Sequence, residues 1–158
     1  MASKNIILAM LDILQNTDKA REYCQKIVAI KGDCVEALIM LAEIACREAD
    51  IERSIHLLKE ASQIAPLNHT IWYHLAEYFV KCGRFVEASN CSVQALKLNN
   101  NLAKYHNQSG RIHYLLRHMH SASNSFKRAL EIDPDNIQTK LWLDRTYSSV
   151  PAWHIPMM

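Results

Sequence analysis

The chain has 158 residues, of which 49% are hydrophobic and 22% are charged, and its formal net charge is +2. This composition is typical of an ordered protein, and so small a charge argues against nucleic acid or an anionic membrane surface as a partner. Only three glycines and four prolines interrupt the sequence, which is too few for many short strands and favours an all-α fold.

The N-terminal stretch MASKNIILAMLDIL has the apolar character of a signal peptide, but Asp12 interrupts it and no small-residue cleavage site follows. No apolar stretch approaches the roughly 20 residues that span a bilayer. The five cysteines are odd in number and match no metal-ligand spacing such as CxxC, which favours free thiols in a reducing compartment. We therefore expect a cytoplasmic protein.

Similar segments recur along the chain at a constant interval, and small side chains return at three positions within them. The segments occupy residues 1–34, 35–68, 69–102 and 103–136, and a last helix is predicted over residues 137–149. Small side chains let two helices approach closely, so each segment predicts a helix, a tight turn and a second helix that must stack on its neighbours. The small residues are Ala42, Ala76 and Gly110 at the eighth position, Ala20, Ser54, Ala88 and Ala122 at the twentieth, and Ala61, Ala95 and Ala129 at the twenty-seventh.

The pattern is distorted at both ends of the array. In the first segment Leu8 and Ile27 are larger than the residues they replace, and Gly32 stands where proline ends the second helix of two later segments. Terminal repeats are often atypical in this way. Over residues 137–149, Asp144 at the eighth position suits a capping helix whose outer face meets water.

The recurring residues resemble the tetratricopeptide repeat family. This resemblance implies a right-handed α-solenoid over residues 1–149, in which the first helix of each pair lines a concave groove. An ordinary helical bundle is the alternative, but it does not need small residues at a fixed interval. The residues in the family's order are Trp72, Leu75, Ala76, Gly83, Ala88 and Ala95 in the third segment, and Gly110, Ala122, Phe126, Ala129 and Pro134 in the fourth.

The resemblance also predicts a protein-binding scaffold without catalytic activity. Positions 2, 5, 9 and 12 of each first helix share one stripe, because they are three and four residues apart. Acidic residues precede basic ones along it, with tyrosines near the boundary, so we expect an extended or helical peptide of mixed charge. Ordinary solvated side chains are the alternative. The expected partner-binding residues are Glu36, Glu43, Tyr73, Glu77, Lys104, Asn107, Arg111, Tyr114 and Arg145.

Some proteins of this family bind a C-terminal carboxylate through lysine, asparagine and arginine side chains. At the corresponding positions this chain has Ile39 and Glu43, or Tyr73 and Glu77. Because a carboxylate there would repel the ligand's own carboxylate, we do not expect this mode of binding.

The sequence contains no recognisable catalytic, phosphate-binding or metal-binding motif, so we expect no enzyme activity, no cofactor and no metal. The fourth segment concentrates four histidines, of which His106 and His113 share a helix face two turns apart, whereas His118 and His120 fall in the predicted turn. Tetrahedral metal sites need closer spacing and further ligands. A metal-binding or redox protein is therefore the least favoured alternative.

The last nine residues, VPAWHIPMM, differ in character from the array. Pro151 and Pro156 prevent a regular helix, so residues 150–158 are predicted to be a non-helical tail or linker. Trp153, His154, Met157 and Met158 resemble the junction with the catalytic domain in protein arginine methyltransferases that carry tetratricopeptide repeats. This resemblance implies an alternative function, as the substrate-recruiting region of a larger methyltransferase. Open solenoid ends can also pair with copies of themselves, so a homodimer is a further alternative.

Overall fold

The computed structural model of the chain describes residues 17–149. Within that range it contains eight helices and no strand, joined by short turns. The helices are α1 (Thr17–Ile30), α2 (Val35–Arg47), α3 (Ile51–Ile64), α4 (His69–Lys81), α5 (Phe85–Leu98), α6 (Ala103–Leu115), α7 (Met119–Ile132) and α8 (Ile137–Ser148).

The helices pack in consecutive pairs, and the pairs stack in chain order. Helix α2 packs against α3, α4 against α5 and α6 against α7, while α1 and α8 pack on the two ends of this stack. The first helices of the pairs begin at Val35, His69 and Ala103, and α8 begins at Ile137, so the interval between successive starts is constant. The predicted all-α solenoid of helix-turn-helix units is thereby confirmed.

Short polar side chains and prolines account for the helix ends. Asn68 and Asn136 cap the N-termini of α4 and α8, because their Oδ1 atoms accept hydrogen bonds from the backbone N–H of Thr70 and Thr139 at 3.1 and 3.0 Å. Helix α3 stops at Ile64 because the next residue precedes Pro66 and is held out of the helical region. These local signals are visible in the sequence.

A left-handed residue closes the turn inside each pair. The residues at this position are Ala49, Gly83 and Arg117, with φ angles of 64°, 77° and 64°. They occupy the same position in successive segments, so the conformation belongs to the repeat. Only Gly83 adopts it without steric cost, since a Cβ atom disfavours positive φ.

The small residues of the repeat lie in the core, where the paired helices approach most closely. Ala42, Ala76, Ala88 and Ala122 are completely buried. Gly110 is also buried, and a Cβ atom built on it would lie only 2.5 Å from Cε1 of Phe126. Larger side chains, among them Leu58, Leu75, Phe79 and Phe126, fill the space between these close approaches.

Three helices that each begin a repeat unit, α4, α6 and α8, also contact one another directly. Helix α4 packs against α6, and α6 packs against α8, across the intervening second helix. Elements that meet in this way lie on the inner side of a curved stack, where the radius is shortest. This places α4, α6 and α8 along the concave face.

Some sequence predictions fall on residues that the structure does not describe. Leu8 and the first helix of the first segment lie outside residues 17–149, as does the tail over residues 150–158 that carries the methyltransferase resemblance. Those interpretations stay predictions. Among the described residues, no helix has both the length and the apolar character needed to cross a membrane.

Candidate partner-binding face

The predicted partner-binding residues lie on α2, α4, α6 and α8, and we call their shared surface the inner face. Glu36, Lys104 and Arg145 are exposed, whereas the other six are partly buried. The inner face therefore consists of half-buried side chains together with three exposed charged residues. The partly buried residues are Glu43, Tyr73, Glu77, Asn107, Arg111 and Tyr114.

Glu77 and Arg111, which the sequence assigns to the acidic and basic parts of the groove, form an ion pair with each other. Nη1 of Arg111 lies 3.6 Å from Oε1 of Glu77. The other carboxylate oxygen of Glu77 accepts a hydrogen bond of 3.1 Å from Nε2 of Gln108. The same Gln108 nitrogen donates to the backbone carbonyl of Tyr73 at 2.9 Å. This network joins α4 to α6 and neutralises Glu77.

Glu43 is neutralised within its own helix. Its Oε1 atom accepts a hydrogen bond of 3.0 Å from Nη2 of Arg47, one helical turn later. Glu36 has no ion pair within the described residues, and Sγ of Cys34 lies 3.8 Å from its Oε2 atom. Of the three acidic residues on the inner face, only Glu36 therefore keeps an uncompensated charge.

An aromatic pair supports Lys104 on the inner face. The ring of Tyr73 stacks on that of Tyr105, with centroids 4.9 Å apart. Nζ of Lys104 lies 5.1 Å from the Tyr73 centroid and 5.5 Å from that of Tyr105. Tyr105 is itself almost completely buried, and its hydroxyl shares a hydrogen bond of 2.6 Å with Nδ1 of His69. The lysine thus rests on a rigid aromatic support.

Arg145 has an equivalent support at the C-terminal end of the inner face. Its guanidinium carbon lies 4.9 Å from the centroid of Trp142. Trp142 in turn meets the ring of Tyr114 edge-on, at 5.5 Å, and stacks on Phe126 at 6.2 Å. The indole therefore connects the inner face to the core.

Asn107 connects α6 to α8. Its Nδ2 atom donates a hydrogen bond of 2.8 Å to Oγ1 of Thr139, and Thr139 donates to Oδ1 of Asn136. Oδ1 of Asn107 is buried and has no partner within the described residues. Tyr114 reaches the C-terminal end of α8, where its hydroxyl lies 3.2 Å from Oγ of Ser149, the residue that follows the helix.

Sequence reasoning did not single out the sixth position of α4, α6 and α8 as part of this surface. Gln108 donates to Glu77 and Trp142 lies under the guanidinium of Arg145, whereas His74 packs edge-on against the ring of Tyr73. Burial lowers the pKa of His74, which sits between the rings of Tyr73 and Tyr78, so its imidazole is neutral near pH 7. Periodicity was the sequence signal that could have identified these residues, because they stand at the same position in successive repeats.

The histidines and cysteines show no metal centre in the part of the chain that the structure describes. His106 and His113 are partly buried, and His118 is exposed at the turn. His120 lies inside α7 rather than in the turn, because that helix already begins at Met119. Cys24 and Cys91 are buried fillers on second helices, whereas Cys46 reaches the inner face and accepts a hydrogen bond of 2.9 Å from Nζ of Lys81.

Comparison with known proteins agrees with this architecture. Residues 103–136 match the family model described as Tetratricopeptide repeat. That range is the fourth segment of the array, formed by α6 and α7. The match covers one of the helical pairs, and the other described pairs repeat the same helix-turn-helix arrangement.

Individual relatives extend the match over more of the chain. Superkiller complex protein 3 of Homo sapiens is 35% identical over 86 residues, which are 54% of this chain and 6% of that protein. The curated relatives are much longer, and the chain spans less than a fifth of their length.

Two solved structures share the fold over nearly the whole chain. The structure of pilF from Pseudomonas aeruginosa has a TM-score of 0.87 at 15% identity and covers 93% of this chain and 68% of that one. The structure of YrrB, described as a TPR protein with an unusual peptide-binding site, has a TM-score of 0.78 at 18% identity, covering 94% and 77%.

Proposed function

We propose that this chain is a protein-interaction scaffold that binds a segment of a partner protein along the inner face. The observation that carries the proposal is the direct contact of α4, α6 and α8, which forms one continuous surface from Tyr73 to Arg145. A continuous surface of half-buried aromatic and polar side chains can bind an extended or helical peptide.

The organisation of the inner face supports binding by a preformed surface. Tyr73, Asn107 and Tyr114 are held by ring stacking or hydrogen bonds to the next helix. Side chains that are already ordered lose little conformational entropy when a ligand binds. The peptide-binding site named in the structure of YrrB supports the same role for a chain of this fold.

A peptide-display selection tests the proposal even though the partner is unidentified. The whole chain is used to select from a library of random peptides, and enriched peptides are synthesised and measured by fluorescence anisotropy. Binding is then compared for Asn107→Ala with Tyr114→Ala, which removes two uncharged groups of the inner face. The matched control, Asn90→Ala with Tyr23→Ala, makes the same changes on the exposed surface of second helices.

We expect the inner-face variant to lose about tenfold in affinity, since truncated interface tyrosines commonly cost more than about 1 kcal/mol. The control should change by less than about twofold, and circular dichroism should show both variants folded. Failure to enrich any peptide contradicts the proposal. Equal effects of the two variants contradict it as well, because binding would then lie elsewhere.

A further inference from the structure

The ion pairs of the inner face determine which of its charges remain available to a partner, and therefore which kind of partner it favours. Taken as independent groups, the acidic and basic residues suggest a ligand of mixed charge. In the structure Glu77 is paired with Arg111, and Glu43 with Arg47. Two of the three carboxylates of the inner face are therefore satisfied inside the protein, and only Glu36, at its N-terminal end, keeps a free negative charge.

Two cations on the same face have no such compensation. No carboxylate lies within ion-pair distance of Lys104 or Arg145 among residues 17–149. Both side chains are exposed, and both rest on aromatic rings, at 5.1 Å over Tyr73 and 4.9 Å over Trp142. A cation–π contact orients a cation but leaves its charge intact. The outward N–H groups of each side chain are free to bind an anion.

We propose that the inner face binds an acidic segment of a partner protein, with carboxylates of that segment on Lys104 and Arg145. Apolar or aromatic side chains of the segment would pack on Tyr73, Tyr114 and Trp142. This inference rests on the proposed scaffold function and specifies the chemistry of its ligand. Charge complementarity selects the acidic class, because the exposed and uncompensated charges of α6 and α8 on this face are positive.

The arrangement favours a protein segment over a nucleic acid. The formal net charge of the chain is only +2, whereas tight binding to a phosphate backbone needs several lysine or arginine contacts. Two cations beside aromatic surface match a short motif in which acidic and apolar residues alternate.

Charge reversal tests the inference directly. Lys104→Glu with Arg145→Glu reverses the two cations, and Lys97→Glu with Lys140→Glu makes the same change in net charge at exposed lysines that lie off the inner face. The probes are a synthetic peptide of Glu-Glu-Tyr triplets, its Lys-Lys-Tyr counterpart and single-stranded oligothymidylate. Affinities are measured by fluorescence anisotropy at low and physiological salt.

We expect the wild-type protein to prefer the Glu-Glu-Tyr peptide over the Lys-Lys-Tyr peptide by about tenfold at low salt, and less at physiological salt, where screening is stronger. Lys104→Glu with Arg145→Glu should abolish this preference, and the matched control should keep most of it. Equal losses in the two variants overturn the inference, because they indicate non-specific attraction. Oligothymidylate binding as tight as that of the acidic peptide overturns it too.

The display selection separates this inference from the scaffold function. If the enriched peptides bind the inner face but carry no excess of acidic residues, the scaffold function stands and the acidic specificity is wrong. If no peptide is enriched, the scaffold function itself is wrong. Enriched peptides that are acidic and sensitive to charge reversal at Lys104 and Arg145 support both.

Discussion

Gly110 allows α6 and α7 to approach each other closely, and its replacement by alanine should destabilise the protein. A Cβ atom at this position would lie 2.5, 2.6 and 2.8 Å from three ring atoms of Phe126. Comfortable carbon–carbon contacts are about 3.5–4.0 Å, so the overlap is about 1 Å. Phe126 is completely buried and stacks on Trp142, which leaves its ring little room to retreat.

Two opposing effects determine how much Gly110→Ala lowers the free energy of unfolding. Overpacking of a well-packed core costs about 1–3 kcal/mol, and three simultaneous overlaps place Gly110→Ala at the upper end. Alanine recovers about 1 kcal/mol, because glycine is the poorer helix former. We therefore expect a net loss of about 2 kcal/mol in the free energy of unfolding. For a chain of this size, that corresponds to a fall in Tm of about 4–8 °C.

Urea denaturation followed by circular dichroism measures this loss, and two further variants identify its cause. Gly32→Ala is the matched control: its Cβ would meet nothing closer than 3.9 Å, so stability should change by less than about 0.5 kcal/mol. In Gly110→Ala with Phe126→Leu the smaller side chain removes the clash, and the double variant should be more stable than the sum of the single changes predicts. A Gly110→Ala protein as stable as the wild type refutes the reasoning.

Two other properties can be tested on the same protein. Ala49→Gly and Arg117→Gly should each raise the free energy of unfolding by about 1 kcal/mol in urea titrations, because glycine adopts the positive φ of these residues without strain. An unchanged or lower stability contradicts this account of the turns. Burial raises the pKa of the Cys24 and Cys91 thiols to about 11. In the native protein at pH 8, iodoacetamide should therefore label the partly exposed Cys46 much faster than it labels these two buried cysteines. Labelling of Cys24 and Cys91 should accelerate only as the pH rises towards 11. Equal rates for all three thiols at pH 8 would contradict the burial of Cys24 and Cys91.

The architecture could be predicted because its determinants are local and repeated. Helix propensity, the caps at Asn68 and Asn136, the proline after α3 and the return of small residues each depend on a short window of sequence. The same period placed Glu43, Tyr73 and Arg111 on first helices. A residue's position in a repeat thus predicts which helix of the pair carries it.

The electrostatics of the inner face could not be predicted in the same way. Glu77 and Arg111 belong to different segments, and the sequence shows their charges but not the 3.6 Å that separates them. Nothing in the sequence singled out Gln108, yet its side chain joins Glu77 to the backbone of Tyr73. Such pairings depend on the distance and rotation between neighbouring helices, which no single segment specifies.

The sequence by itself therefore determined the repeat, the helices and the buried small residues, while the side of the stack on which the first helices lie was implied only by the family resemblance. The repeat, the helices and the buried small residues follow from side-chain volume and backbone conformation, which act over a few residues. Only the tertiary structure decided which charges cancel and which stay exposed. Coulomb interactions and ring contacts act through space, so the free cations at Lys104 and Arg145 emerge only after the helical pairs have stacked.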